Sequence, residues 1–259
     1  MSHSKKLSII NSTAPYQKKF EPVINALITH LRAAAGASIH SIYLFGSVAR
    51  REAVVGKSSL DVTIVTQVAL TPKQQTALNT IKWRFNTQYP QITEIAFNIG
   101  DMKEVLDLDF IFSWGFWLKH CNVCIFGDDL ATRFGTFEPS WEIAKNMNMD
   151  VGQWLSTYRT KMISATTVEA QIDPQIKLAK KILRSCYSLV MHKDKGWYDS
   201  PVECGEKFLE YYPDKALEIE RMNILLQGRR IPKRSVIALF DEFGRWLVDE
   251  FERIERKIG

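Results

Sequence analysis

Cysteine is scarce in this chain: Cys121, Cys124, Cys186 and Cys204 are the only four in 259 residues. That is too few for a disulfide framework, so reduced thiols are expected. Cys121 and Cys124 form a C-x-x-C beside His120, but a structural zinc site takes four ligands and the others would have to come from far away. The stretch reads as buried small side chains. No apolar run is long enough to span a bilayer, and MSHSKKLSIINSTAPYQKKF lacks the uninterrupted apolar stretch of a secretory signal, so the expected location is the cytoplasm. Internal repeats and low-complexity tracts are also missing, which sets aside a repeat architecture.

What is present is an ordinary globular composition. With 46% hydrophobic and 24% charged residues, the chain can bury a sizeable core. Its length suits two domains. The formal net charge of +5 is compatible with a nucleotide or nucleic-acid substrate without selecting one.

The apolar periodicity divides the chain. In the first half, helix and strand patterns alternate. FEPVINALITHLRAAAG carries a helical stripe (Val23, Ile24, Leu27, Ile28, Leu31) and stops at Gly36, and SIHSIYLFG is a β-rich run ending at Gly46. SVARREA begins a short helix. LDVTIVT is a second strand with Leu60, Val62 and Ile64 on one face and Ser59, Asp61 and Thr63 on the other. A helix follows from Thr71-Pro72 to Tyr89-Pro90, and then a third strand, ITEIAFNIG, on which Glu94 is the only ionisable side chain. VLDLDFIFSWGFWLKH reads as an aromatic-rich helix and NVCIFG as a short strand. From SWEIAKNMNMDVGQWLSTYRTKMISA onward the period is helical, continuing through DPQIKLAKKILRSCYSLVMHK, SPVECGEKFLEYYP, DKALEIERMNILLQG and SVIALFDEFGRWLVDEFERIE, with short Pro or Gly breaks, as in an antiparallel bundle. The expected fold is α+β: a sheet domain with flanking helices over residues 1–135, then an all-α bundle over residues 136–259.

The stretch LFGSVARREA…KSSLDVTIVT resembles the signature of the nucleotidyltransferase superfamily of the DNA polymerase β type. In that family a strand leads to Gly-Ser, and after a short helix a second strand carries Asp-x-Asp. Eleven residues separate Ser47 from Ser59 here, within the family's spacing. The hydrophobic register puts Ser59 in the first acid position and Asp61 in the second; an alternative register makes Asp61 the first and Thr63 the second. The helical half, and CIFGDDLA before it, resemble aminoglycoside 3''-type adenylyltransferases and their relatives with a C-terminal helical domain.

The resemblance implies an enzyme that moves a nucleoside monophosphate from ATP to a hydroxyl of a small molecule such as an aminoglycoside, with two Mg²⁺ ions. Such chemistry needs carboxylates to hold the metals, backbone amides for the phosphates and a base for the attacking hydroxyl. Gly46 and Ser47 are implied at the phosphates, and Asp61 with Glu94 at the metal and the reaction. Ser59 stands where a ligand would bridge two ions. Lys180, Lys181 and Arg184 are the cations implied to reach the triphosphate. Three readings of Ser59 stay open: an active variant with altered metal use, an inactive relative that binds nucleotide or a partner, and an engineered inactive form. The acceptor is open as well. An acidic lining (Asp128, Asp129, Glu138, Glu142, Asp150) suits a cationic small molecule. The basic clusters at Lys177–Arg184 and Arg229–Arg234 suit RNA, and a protein side chain is a further alternative.

Overall fold

A computed structural model describes residues 7–258. It divides into two compact units, one holding Ser8–Phe137 and the other the chain from Glu138 on.

The first unit is built on a four-stranded sheet of order β3-β2-β1-β4. Its strands are β1 (Ile39–Phe45), β2 (Leu60–Thr66), β3 (Ile95–Asp101) and β4 (Asn122–Gly127). β1 runs antiparallel to both β2 and β4, whereas β3 is parallel to β2. Strand alternation gives the sheet two faces. Ile42, Leu44, Leu60, Val62, Ile64 and Ile95 form one, in a single apolar core with helices α1 (Glu21–Ala35) and α3 (Pro72–Gln88). α1 contributes Val23, Ile24, Leu27 and Leu31 at the spacing the sequence predicts, each fully buried aliphatic worth about 1.5–3 kcal/mol. α3 starts where expected, with Pro72 in its first turn and a reciprocal capping box between Thr71 and Gln74.

The opposite face, with Tyr43 and Val65, packs on Val105, Trp114, Leu118 and Leu130. Here the structure departs from the sequence reading. A regular aromatic helix is expected from Val105 to His120. The segment instead makes a single turn α4 (Met102–Val105), a 3₁₀ turn (Leu108–Phe110) and two π-helical turns, Ile111–Gly115 and Trp117–Cys121. Aromatic demands on several sides explain it. Trp114 packs against Gly100 of β3, Trp117 against Phe45, and Phe116 against His120 and Phe137, and the wider π turn accommodates all three.

The second unit is all helical: α5 (Trp141–Asn148), α6 (Val151–Ser164), α7 (Val168–Asp194), α8 (Pro201–Leu209), α9 (Ala216–Leu226) and α10 (Lys233–Ile258). Long α7 is its centre, with fourteen buried residues. The sequence reading starts this helix at Asp173-Pro174, yet it begins at Val168 and carries Pro174 inside. Two local features outweigh the proline. The Thr167 hydroxyl caps the amide of Ala170 at 3.1 Å, and the side-chain amides of Gln171 and Gln175 donate to carbonyls of the α9–α10 connection (Ile231 and Arg229) and of the end of α9 (Leu225).

His120 ties the first unit's termini together. Its Nδ1 lies 3.0 Å from the Ser8 carbonyl oxygen, and the Phe137 N–H donates to its Nε2 at 3.0 Å. This arrangement requires neutral imidazole, and burial lowers its pKa below the ordinary value. The unfolded chain therefore binds this proton more readily than the folded one. The residue's contribution to stability is complete above about pH 6.5 and is lost as pH falls through the lowered folded value. Thermal unfolding from pH 7.5 to 5 is expected to show the wild type losing its advantage over His120→Gln as the medium becomes acid, and an advantage independent of pH would refute this.

Candidate active site

The candidate site lies where β1 ends and β2 begins. Antiparallel pairing sets Phe45 opposite Asp61, and the same row continues to Asn122 on β4 and Ala96 on β3. The next residue after Phe45 is Gly46, at φ +70°, a conformation open to glycine at little cost. There is a second demand for glycine. A Cβ at position 46 would lie 2.6 Å from Oδ2 of Asp61, so the carboxylate rests against the bare backbone of the turn.

Ser59 completes this arrangement. Its hydroxyl donates to the same Asp61 oxygen at 3.0 Å. A second carboxylate in that position would repel Asp61; the serine supplies a hydrogen bond to it instead. Thr63, the acid position in the alternative register, is fully buried, and its hydroxyl accepts the Trp117 indole N–H at 3.2 Å.

Glu94 is expected on the third strand and stands one residue before it. The Leu60 N–H donates to the Glu94 carbonyl at 2.9 Å, and the Thr93 N–H to the Ser58 carbonyl at 3.0 Å. The parallel register pairs Leu60 with Ile95 and Asp61 with Ala96, so the chain sets Glu94 alongside Ser59. Gly46, Ser47, Ser59, Asp61 and Glu94 are all half-buried, gathered at one end of the β1, β2 and β3 ladder. The helix after Gly46, α2 (Gly46–Ala49), is a single turn. Phosphate binding there would rest on the amides of the turn and not on a helix macrodipole.

Trp117 and Asn122 are neighbours the sequence reading did not single out. The Trp117 ring meets Phe45 edge-on at 4.9 Å, and Asn122 Nδ2 donates to the Trp117 carbonyl at 2.9 Å. Their only signal was membership of an aromatic segment and a short strand, which reads as core. A hollow of about 390 Å³ between α3 and β3 includes none of the candidate residues; it opens by Thr66 and Asp101, at the far ends of β2 and β3.

Asp61, Glu94 and Ser59 offer only oxygen donors. That set fits Mg²⁺, which is commonly held by one or two carboxylates together with substrate phosphates. Among the described residues no three His, Cys, Asp or Glu side chains converge as a metal cage. In the C-x-x-C, burial pushes the Cys124 thiol up to about 11, and the neighbouring His120 is occupied at both nitrogens.

In the helical unit the three expected cations differ. Lys181 is only 11% exposed, pairs with Asp150 at 2.5 Å and donates to the Met147 carbonyl at 3.1 Å; burial lowers its pKa. Lys180 and Arg184 are exposed one turn apart on α7, with Arg184 donating to the Asp199 carbonyl at 3.3 Å. Other members of the basic clusters are engaged within their own unit: Lys177 with Asp173, Arg230 with Glu169, and Lys233 with the carbonyls of Ile163 and Ala165. Of the acidic residues read as a lining, Asp150 holds Lys181 and Glu142 pairs with Lys145.

Gly46→Ala is expected to lower stability by about 1–2 kcal/mol through its left-handed backbone and to displace the Asp61 carboxylate. Thermal unfolding checks this; an alanine variant as stable as the wild type would contradict the close packing of Gly46 on Asp61.

No protein-family model matches the sequence, and no curated protein matches it either. The likeness lies in three dimensions. Over 88% of this chain and 98% of the other, the structure is similar to the spectinomycin adenyltransferase AAD(9) from Enterococcus faecialis, solved with ATP and spectinomycin, with a TM-score of 0.57 and 16% sequence identity. At that identity the likeness establishes the architecture: the chain has the α+β fold of that adenyltransferase, a mixed sheet followed by a helical region.

Proposed function

We propose that the chain is a nucleotidyltransferase that moves AMP from ATP to a hydroxyl of a small molecule. The observation that carries the reading is the packing of Gly46 against the Asp61 carboxylate, with Ser59 bonded to the same oxygen. A glycine turn that brings amides against a strand carboxylate suits a phosphate chain and its accompanying cation. The shared fold with an adenyltransferase supports the same class of reaction.

In this reading the amides after Gly46 bind phosphate oxygens, and Asp61 and Glu94 are the residues that would hold Mg²⁺ together with the nucleotide. When bound, the ion supplies charge neutralisation at the phosphates. Glu94 accepts the proton of the acceptor hydroxyl as its oxygen attacks the α-phosphorus; the bond to pyrophosphate breaks and pyrophosphate leaves. Ser59 leaves the site one formal charge poorer than a paired-acid site. It therefore suits one ion delivered with the nucleotide better than two ions held by the protein. Lys180 and Arg184 are the exposed cations available to the triphosphate, while Lys181 serves its own unit. A small-molecule acceptor is supported by the likeness to an adenyltransferase solved with spectinomycin.

Transfer of label from [α-³²P]ATP, with spectinomycin and a pooled cell extract as acceptors, tests the reading. Wild-type protein is expected to transfer label with Mg²⁺, and Asp61→Ala and Glu94→Gln to lower the rate by about 10²–10⁴-fold. If only Ser59→Asp transfers label, the chain is a nucleotide-binding relative that has lost catalysis; if neither does, the transferase reading falls.

Lys180→Ala and Arg184→Ala are each expected to raise the KM for ATP by about tenfold, the size of one charge-assisted hydrogen bond. Lys181→Ala should instead lower the thermal midpoint, since it removes the partner of Asp150. A Lys181→Ala variant of unchanged stability but raised KM would reverse this assignment.

A further inference from the structure

The loop between Ser47 and Ser59 contains Arg51, at φ +64°. It sits just past the end of α2, a position that glycine usually fills because the left-handed region carries no Cβ cost there. An arginine in its place implies that the side chain has work that glycine could not do. Its Nη2 donates to the Ala14 carbonyl at 2.6 Å, and Nη1 donates to the Ala49 carbonyl. The guanidinium also lies over the Tyr16 ring, 4.3 Å from its centroid.

One residue further on, Gln17 reaches the same loop. Its Nε2 donates to the Ala53 carbonyl at 3.1 Å, and its Oε1 accepts the Ala53 N–H at 3.1 Å. The side-chain amide thereby satisfies both backbone groups of Ala53, as a neighbouring strand would. Segment 14–17 is thus fastened at two points to residues 49–53. That loop is in turn bonded to the turn before it: the Arg50 N–H donates to the Gly46 carbonyl at 3.1 Å and the Glu52 N–H to the Ser47 carbonyl at 2.9 Å.

We infer that Ala14–Gln17 is a strap that holds the Gly46–Ser47 turn in its nucleotide-receiving shape, with Arg51 and Gln17 as positioning residues. The inference deepens the nucleotidyltransferase reading and rests on it for the role of the turn. A four-residue α2 cannot hold itself, because helices this short are marginal without tertiary support. The strap supplies that support from a segment about thirty residues upstream.

Two readouts test it on the full chain: hydrogen exchange of amides 46–52 without nucleotide, and titration with ATP and Mg²⁺. Arg51→Gly leaves the left-handed backbone free of Cβ cost and removes the whole side chain, guanidinium included; Gln17→Ala removes the second fastening. Each is expected to speed exchange at 46–52 and to weaken ATP binding by about tenfold, the effect of one lost hydrogen bond to or from a charged or buried group, with β1 and β4 amides unchanged. Arg51→Lys should recover part of both. Wild-type exchange and affinity in Arg51→Gly and Gln17→Ala would overturn the inference, as would loosening spread evenly over the whole unit. Should Arg51→Gly fail to fold, Gln17→Ala decides alone. If wild-type protein binds no ATP, the transferase reading fails, whereas the exchange pattern still decides whether the strap holds the turn.

Discussion

The Asp61 carboxylate is pressed between a glycine backbone on one side and a serine hydroxyl on the other, and much of the sheet unit serves that placement. A carboxylate at the end of a strand would ordinarily turn to water. Here the antiparallel register brings Gly46 against it, and a residue without a Cβ is what allows the approach. Behind the pair, Phe45, Trp117 and Thr63 close the sheet face, with the Trp117 indole N–H bonded to the Thr63 hydroxyl. Ser59 then changes the local electrostatics. A paired-acid site carries like-charge repulsion between its two carboxylates, whereas this one carries a hydrogen bond from Ser59 to Asp61 in its place.

Much of this was readable from the residues. The glycine turn after β1 and the alternation of LDVTIVT were legible because strand periodicity and glycine chemistry are local properties, whereas the reading of Ser59, Asp61 and Glu94 as one site came from the resemblance. α1, α3 and α10 followed from apolar stripes and caps for the same reason. What escaped was set by contacts far apart in the chain. The π-helical turns between Ile111 and Cys121 answer aromatic partners on several elements, and no local pattern announces that. Pro174 marked a helix start by propensity, yet glutamine contacts with the α9–α10 connection carried α7 back to Val168. Glu94 was placed in its strand by composition, and it is the pairing with Leu60 that sets it at the strand's entrance.

In the helical unit several basic residues have partners that the sequence alone does not show. Lys177, Lys181, Arg230 and Lys233 read as a cationic surface, but each is committed to an acid or a carbonyl of its own unit. Charge counted along a sequence takes no account of partners brought in by folding. Lys181 is the sharpest case: it fastens the α5–α6 corner through Met147 and Asp150, and its ammonium lies 5.3 Å from the centre of the Trp154 ring. The residues left for recognition are those that the helix packing does not use.

The pairing of β4 with β1 has a consequence for the order of events as the chain folds. β1 is complete at Phe45, but its second neighbour begins only at Asn122, so one side of a central strand waits for a segment more than seventy residues later. Closing so long a loop is entropically costly and slow compared with the β1–β2 hairpin-like pairing or the helices. A nascent chain released before Gly127 would expose β1 as an unpaired edge rich in Ile, Tyr and Leu. The sheet unit is thus guarded during synthesis by the speed with which residues 46 to 127 emerge, and pausing in that window is where aggregation would begin.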